Sequence, residues 1–304
     1  MKIERIEDFA SAAKELAPRI PTAVVCANDA HTLAAVTRAR RDNFIQPLLI
    51  GPIIEIETML ADAGEPIDAY VIIDCDSPDK CAAKAMGLVH DGSAGMIIKG
   101  LIETSQLMRR ALSSDGGIRT GVVSAVSVYE FAKYHKLLAV TDMGINMFPD
   151  LERKQAIIEN AVGFMRIIGV DCPKVAVLSS TAHASEKQPD TMEAAELKRR
   201  NRDGIILNCI VEGPISFDLA LIPEMAAAKH YESPVAGDAD ILIMPDIVAG
   251  NIAVKAMGFF GEPAFADAIV GCAVPIVFGS RGGPIEGKYL SIALSALIAA
   301  GQRP

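Results

Sequence analysis

The sequence predicts an α/β protein of two domains, each built on a largely parallel sheet covered by helices. Three observations carry that expectation. Short, almost wholly apolar runs alternate with longer amphipathic segments from one end of the chain to the other. Hydrophobic residues make up 51% of the chain, enough to fill sizeable cores. Its 304 residues exceed one typical domain, so two units of roughly 150 residues each are the default.

The elements follow in order. The opening MKIERIEDFASAAKEL reads as a charged amphipathic helix, not a secretory signal. Residues 21–26 (PTAVVC) form a strand, and Asn28-Asp29 can cap a helix starting near Ala30. Strands at 46–51 and 70–74 alternate with helices at 54–64 and 78–91, and strands at 96–99 and 122–126 continue the series. The second half repeats the habit. Strands fall at 137–142, 174–179, 205–211 and 240–244, with helices at 151–169, 192–202 and 251–260. A last apolar run at 273–278 reads as a strand, and 287–300 as the closing helix.

Charge and cysteine usage exclude several function classes. A formal charge of -9 argues against a nucleic-acid or anionic-membrane surface, so an anionic substrate must be met by a local basic cluster. The six cysteines are scattered with no CxxC pair, which reads as reduced core thiols. No apolar run approaches the ~20 residues needed to cross a bilayer. The expected location is cytoplasmic.

Ligands in parallel sheets bind beyond the carboxyl ends of the strands, and the polar clusters fall there. Lys99-Gly100 follows one strand, then Thr104-Ser105 opens a helix carrying Arg109 and Arg110. Thr141-Asp142 and Asn146 follow the next, and Ser179 to Thr181 another. Glu212-Gly213-Pro214 with Asp218, and Pro245-Asp246 with Gly250-Asn251, complete the set. Capping alone also accounts for Thr104, Ser105, Asp246 and Asn251. The strand at 273–278 stops at Gly279 and delivers Ser280-Arg281-Gly282-Gly283, a hydroxyl and a guanidinium on a backbone bare enough for close approach. Arginine suits bidentate contact with phosphate or carboxylate oxygens. A solvated loop is the alternative reading.

These residues also carry a resemblance. The segment DADILIMPDIVAGNIAVK is similar to the PDL-x-AGN-x-x-x-K signature of the phosphate acetyl/butyryltransferases, and EGPISFDLAL resembles that family's DGPLxFDxA stretch. TDMGINMFPDLERK, KVAVLSSTA, SPVAGDADIL and the closing VFGSRGGPIE follow the family in the same order, from about Met96 to the C-terminus. The resemblance implies an isocitrate/isopropylmalate dehydrogenase-like fold of two α/β domains, one holding 1–138 plus 270–304 and the other 139–269. It also implies a homodimer, with dimerisation through the second domain.

The implied chemistry is reversible transfer of a short-chain acyl group between coenzyme A and inorganic phosphate, butyryl-type favoured over acetyl-type. Coenzyme A enters as a substrate, and no metal or redox cofactor is implied. By resemblance Ser280 donates to the oxyanion and Arg281 grips phosphate. Arg109 matches an arginine of the butyryl-type pattern KGL-x-x-TS-x-x-x-R, in which Lys99 and Thr104 are further phosphate ligands. Arg119 is another candidate cation, with a solvated role equally open. Asp246, Gly250 and Asn251 fall in the AGN signature as site-lining residues.

Three departures stand out. Phe259 replaces an arginine that many acetyl-type members carry four residues after the signature lysine, which suits a longer acyl chain. Glu103 stands where the butyryl-type pattern has histidine. The family's carboxylate six or seven residues after the serine is here Glu286, the seventh position being Gly287; Glu286 is the candidate base, or an ordinary helix-start glutamate. His31 and His183 follow strands and read as surface histidines. Two other classes stay open: a non-catalytic relative that binds coenzyme A or acyl phosphate, and an NAD-dependent 2-hydroxy acid dehydrogenase of the same superfold. Against the dehydrogenase, no GxGxxG opens a helix after the first strand.

Overall fold

The computed structural model describes residues 3–279 and 284–301. Along the chain run α1 (Asp8–Lys14), β1 (Ile20–Val25), α2 (Ala30–Arg41), β2 (Ile45–Gly51), α3 (Ile53–Asp62), β3 (Val71–Asp74) and α4 (Pro78–His90). Then come β4 (Met96–Lys99), α5 (Thr104–Ala111), β5 (Arg119–Glu130), β6 (Leu138–Thr141), α6 (Leu151–Ile167), β7 (Lys174–Leu178) and α7 (Pro189–Arg202). The remainder is β8 (Ile210–Ile215), α8 (Phe217–Leu221), α9 (Pro223–Ala228), β9 (Ile241–Ile243), α10 (Ile247–Gly261), β10 (Ala264–Cys272), β11 (Ile276–Val277) and α11 (Ile285–Gly301). Aspartates start three helices by accepting the backbone N–H three residues on: Asp29 from Thr32, Asp150 from Arg153 and Asp246 from Ala249.

The residues group into two compact units. One, the framing unit, holds Glu7–Gly121 and Ala266–Pro304; the other, the inserted unit, holds Met1–Ile6 and Val122–Phe265. The chain therefore crosses inside β5 and returns inside β10, whereas the expected crossing points were 138/139 and 269/270.

In the framing unit the strand order is β3-β2-β1-β4-β11-β10. All neighbours are parallel except β10, which runs antiparallel to β11. Ile20, Val24, Leu49, Ile50, Ile97 and Ile98 are fully buried, as strands covered on both faces require. Helix α11 packs against α1 and α2 and is buried along almost its whole length, from Gly287 to Ala299. Such a helix needs apolar residues all round, which makes its one interior lysine conspicuous.

In the inserted unit the order is β5-β6-β9-β7-β8, antiparallel between β5 and β6 and parallel elsewhere. Leu138, Val140, Ala176, Ile215, Leu242 and Met244 belong to one buried cluster beneath the short helices α8 and α9. No helix among the described residues is long and apolar enough to cross a membrane.

Several boundaries depart from expectation: the strand expected at 273–278 shrinks to β11 (Ile276–Val277), the one at 122–126 extends to Arg119–Glu130, and three further departures have a clear physical cause. The strand expected at 205–211 is β8, which starts at Ile210 and runs through Pro214, with Leu207 61% exposed in the preceding loop. Proline reads as a stop, but β8 is an edge strand, where a missing N–H costs little. Strand β10 (AFADAIVGC) is rich in alanine and glycine, and its small residues conceal the strand pattern. Helix α10 starts at Ile247, not Asn251, because Asp246 caps it.

Candidate active site

In the framing unit the parallel strands deliver their carboxyl ends side by side. Val25 pairs with Lys99 and Ile98 with Val277, so β1, β4 and β11 end within one residue of one another. Gly100 then turns hard against β1. Its N–H donates to the Val25 carbonyl at 2.8 Å, and that of Leu101 to the Cys26 carbonyl at 2.8 Å. A Cβ on Gly100 would sit 2.2 Å from the Cys26 carbonyl oxygen, so only glycine fits there.

Lys99 is buried, and its ammonium donates to the carbonyls of Ile102 (3.0 Å) and Gly100 (3.4 Å). It thereby holds the loop that leads into α5. Thr104 is the first residue of α5 and Arg109 lies in its last turn, exposed. Residues five apart stand roughly 140° apart around a helix, so α5 does not set these two on one face. Arg119, the first residue of β5, is exposed. Glu103 occupies the N-cap position of α5.

Ser280 and Arg281 lie outside the described residues, which stop at Gly279 and resume at Pro284. Glu286 sits one position into α11, and its carboxylate is ion-paired with Arg38 of α2. Arg38 also lies over the Tyr289 ring, 3.7 Å from its centroid. The candidate base is thus committed to an exposed helix–helix contact.

Sequence reasoning missed Lys288, the one lysine of the buried α11. Its Nζ donates to Thr32 Oγ1 at 2.8 Å and lies 3.6 Å from Asp29 Oδ2. Burial pushes this ammonium below the usual lysine range, opposed by the nearby charges of Asp29 and Asp267. Asp267 on β10 is buried, and one of its carboxyl oxygens has no hydrogen-bond partner. Burial raises its pKa to about 7, against the smaller opposing effects of Ser291 and Lys288. A lone cation in an apolar helix was the available signal.

In the inserted unit a second constellation forms after β6 and β9. The Asp142 carboxylate is buried and accepts from the backbone N–H groups of Gly144 (2.9 Å), Ile145 (3.0 Å) and Asn146 (3.1 Å). Burial still raises its pKa, these hydrogen bonds offsetting only part of the desolvation. Asn146 donates to the Val123 carbonyl at 2.8 Å and accepts from Arg153 at 3.3 Å. Gly250 packs onto this turn so closely that a Cβ would lie 2.8 Å from the Asp142 carbonyl oxygen. Asn251 donates to the Met143 carbonyl at 3.4 Å, and the N–H of Ile247 to the Met147 carbonyl at 3.0 Å. Asp246, Gly250 and Asn251 are therefore brought together against the 142–147 turn, with Asp246 acting as the helix cap.

Other strand-end polar residues have structural partners. Ser179 donates to Asp190 at 2.6 Å, and Glu212 accepts from Lys198 (2.5 Å) and Tyr231 (3.0 Å). Asp218 accepts from Lys229 and Ser216, which hold its pKa down at about 2. Phe259 lies in the last turn of α10, eight residues or about 12 Å of helix beyond Asn251. It does not neighbour the AGN residues.

The family model described as phosphate acetyl/butaryl transferase matches residues 78–296. The chain belongs to this family. A phosphate acetyltransferase of Thermotoga maritima is 41% identical over 278 residues, covering 91% of this chain and 94% of that protein. A phosphate butyryltransferase of Clostridium acetobutylicum is 36% identical over 278 residues, covering 91% and 92%. Among solved structures, a branched-chain phosphotransacylase from Enterococcus faecalis superposes with a TM-score of 0.79 at 28% identity, covering 92% of this chain and 99% of that one. Membership makes the protein an enzyme of the phosphate acyltransferase class, and the dehydrogenase alternative falls away. Relatives of comparable identity carry both the acetyl and the butyryl names, so the family leaves acyl length open.

Proposed function

We propose that the protein moves a short-chain acyl group reversibly between coenzyme A and inorganic phosphate, with butyryl preferred to acetyl. The observation that carries this reading is the shared carboxyl end of β4 and β11 in a chain of this family. Lys99-Gly100 and the Gly279 that opens the Ser280-Arg281 stretch leave the sheet from adjacent parallel strands. That is where an α/β sheet meets anions. The preference for butyryl rests on Arg109 within the KGL-x-x-TS-x-x-x-R pattern.

In the forward direction a phosphate oxygen attacks the thioester carbonyl carbon. The carbonyl oxygen becomes an oxyanion, which Ser280 stabilises by donating its hydroxyl proton in a hydrogen bond. Arg281 holds the phosphate by two parallel N–H···O contacts and offsets its charge. Collapse breaks the carbon–sulfur bond and expels the thiolate of coenzyme A, which takes the proton given up by the attacking phosphate, and leaves the acyl phosphate. Thr104, Arg109 and Arg119 are the further anion ligands of the reading, and Lys99 supports the loop. Holding two polyanions together supplies much of the acceleration. Arginines provide the positive charge, so the reaction as proposed uses no metal. Glu286 remains the carboxylate at the sixth position after Ser280, although its pairing with Arg38 argues for a structural role.

The reading extends to a homodimer formed through the inserted unit. It is supported by the exposed apolar side chains of α10, where Phe259 is 76% and Phe260 84% exposed. An apolar groove of ≈ 440 Å³ lined by Phe131, Phe217, Met257 and Phe260 continues that surface.

The test is thiol release from acetyl-, propionyl- and butyryl-coenzyme A, with and without phosphate. Phosphate-dependent release fastest with butyryl is expected. Coenzyme A binding without release from any of the three would make the chain a non-catalytic relative. Release fastest with acetyl would overturn the chain-length assignment alone.

A further inference from the structure

A cleft of ≈ 440 Å³ opens at the amino ends of β1, β2 and β3, away from the strand ends that carry Lys99 and Gly100. The two ends of β1, Ile20 and Val25, stand about 16 Å apart at the usual rise of a strand. The cleft lies wholly within the framing unit. Ile45, Pro47 and Val71 give it apolar walls, while Arg19, Arg40 and Gln46 supply polar groups. None of its lining side chains is acidic.

The cations there are only partly matched. The buried acid beside Arg40 is Glu65, its side chain 1% exposed, and both its oxygens have closer partners. Arg41 lies 2.5 Å from Oε1, and the Tyr70 hydroxyl donates to Oε2 at 2.6 Å. Arg40 comes no nearer than 3.7 Å and lies over the Tyr70 ring, 4.7 Å from its centroid. Its side chain is 24% exposed, so its N–H donors have limited access to bulk water and border the cleft instead. Arg19, immediately before β1, is exposed, and its guanidinium has no hydrogen-bond or ion-pair partner among the described residues. Arg19, Arg40 and Arg41 set against Glu65 leave a surplus of two positive charges. The partial negative charge at the C-terminal end of α2, about half a unit, offsets only part of it. Asp42, which follows α2, is already paired with Lys14 at 3.3 Å. A protein of net charge -9 here concentrates the opposite sign.

We propose that this cleft binds an organic oxyanion, a phosphate or carboxylate carried on an apolar or aromatic body. Arg40 grips the oxyanion with its planar fork of donors, Arg19 adds a second cationic contact, and Gln46 donates from its carboxamide. The body of the ligand rests on Ile45, Pro47 and Val71, which adds affinity that a bare inorganic anion lacks. The volume of the cleft falls within the range of small-molecule sites. The site uses no residue assigned to acyl transfer and stands independently of that reading.

The experiment titrates phenyl phosphate, phthalate and sulfate into the full chain by calorimetry. The first two carry their charge on a ring, and sulfate has no such body. Phenyl phosphate or phthalate should bind about tenfold more tightly than sulfate, and the better of the two tells phosphate from carboxylate. Arg40→Gln should weaken that binding about tenfold or more, and Arg19→Gln by a smaller factor. Arg281→Ala, which removes the phosphate ligand of the proposed reaction, should leave it within about twofold. Urea melts check that Arg40→Gln folds, since Arg40 also covers Tyr70; if it does not, the exposed Arg19→Gln decides. No binding of either ring compound at millimolar concentration would overturn the proposal. Equal affinity for sulfate, or an affinity unchanged in Arg19→Gln and Arg40→Gln, would do the same. Binding lost only in Arg281→Ala would put the probe in the active site and refute the separate cleft.

Discussion

Gly100 lies against Cys26 so tightly that a Cβ would stand 2.2 Å from the Cys26 carbonyl oxygen. The contact brings the end of β4 onto the end of β1 and fixes the loop held by Lys99. A methyl group there must push backbone apart, because no flexible side chain is available to yield. Gly100→Ala should cost roughly 2–4 kcal/mol, read as a lowered midpoint of urea unfolding, and should depress turnover as well. A variant as stable as the parent would show that the loop does not need this approach.

Asp142, itself buried, accepts from three backbone N–H groups at once. Replacement by alanine strands these donors, at a cost of roughly 2–5 kcal/mol. Asp142→Asn retains one acceptor oxygen and should lose clearly less. Equal losses in urea melts of the two variants would contradict the assigned role.

Asp267 predicts a pH signature. Its folded pKa, about 7, lies above the ordinary carboxylate value, so the native state keeps a proton that the unfolded chain releases. This acid therefore makes stability fall as pH rises from about 4, the ordinary aspartate value, to about 7, with no further change above that. Asp267→Asn lacks the term. Relative to the parent, the variant should gain stability across that window, by a few kcal/mol at most. Parallel stability curves for the two proteins from pH 4 to pH 8 would refute the assignment.

Glu286 is paired with Arg38 in an exposed contact, and such pairs contribute about 0–1 kcal/mol. Glu286→Gln should leave kcat within about threefold, whereas loss of a general base costs roughly a hundredfold or more. A drop of that larger size would return Glu286 to the role of base.

The α10 surface should mediate self-association. Light scattering is expected to report a dimer for the parent and a monomer for the Phe259→Glu, Phe260→Glu double variant. A parent that stays monomeric at micromolar concentration would exclude the homodimer.

How much of this was legible in the sequence depends on what each residue answers to. Strands such as Ile20–Val25 and Met96–Lys99 were readable because burial on both faces demands continuous apolar runs. The polar strand ends were visible too, and Asp246, Gly250 and Asn251 do come together. Their division of labour was not, since a cap and a site-lining residue use the same side chain. The true bounds of β8 stayed hidden because tolerance of Pro214 depends on lying at an edge, which is a property of the assembled sheet. Glu286 looked like a base by spacing alone, while its partner Arg38 comes from a helix some 250 residues earlier. Lys288 escaped notice for the same reason: Thr32, Asp29 and Asp267 reach it only in three dimensions.

The central claim is tested most directly by following the phosphorus itself. Purified protein is incubated with butyryl-coenzyme A and inorganic phosphate, and the mixture is watched by phosphorus NMR alongside a thiol assay. The account predicts an acyl phosphate resonance that grows in step with free thiol and is lost in Arg281→Ala. Thiol release without acyl phosphate, or acyl phosphate formed equally well by Arg281→Ala, would contradict it.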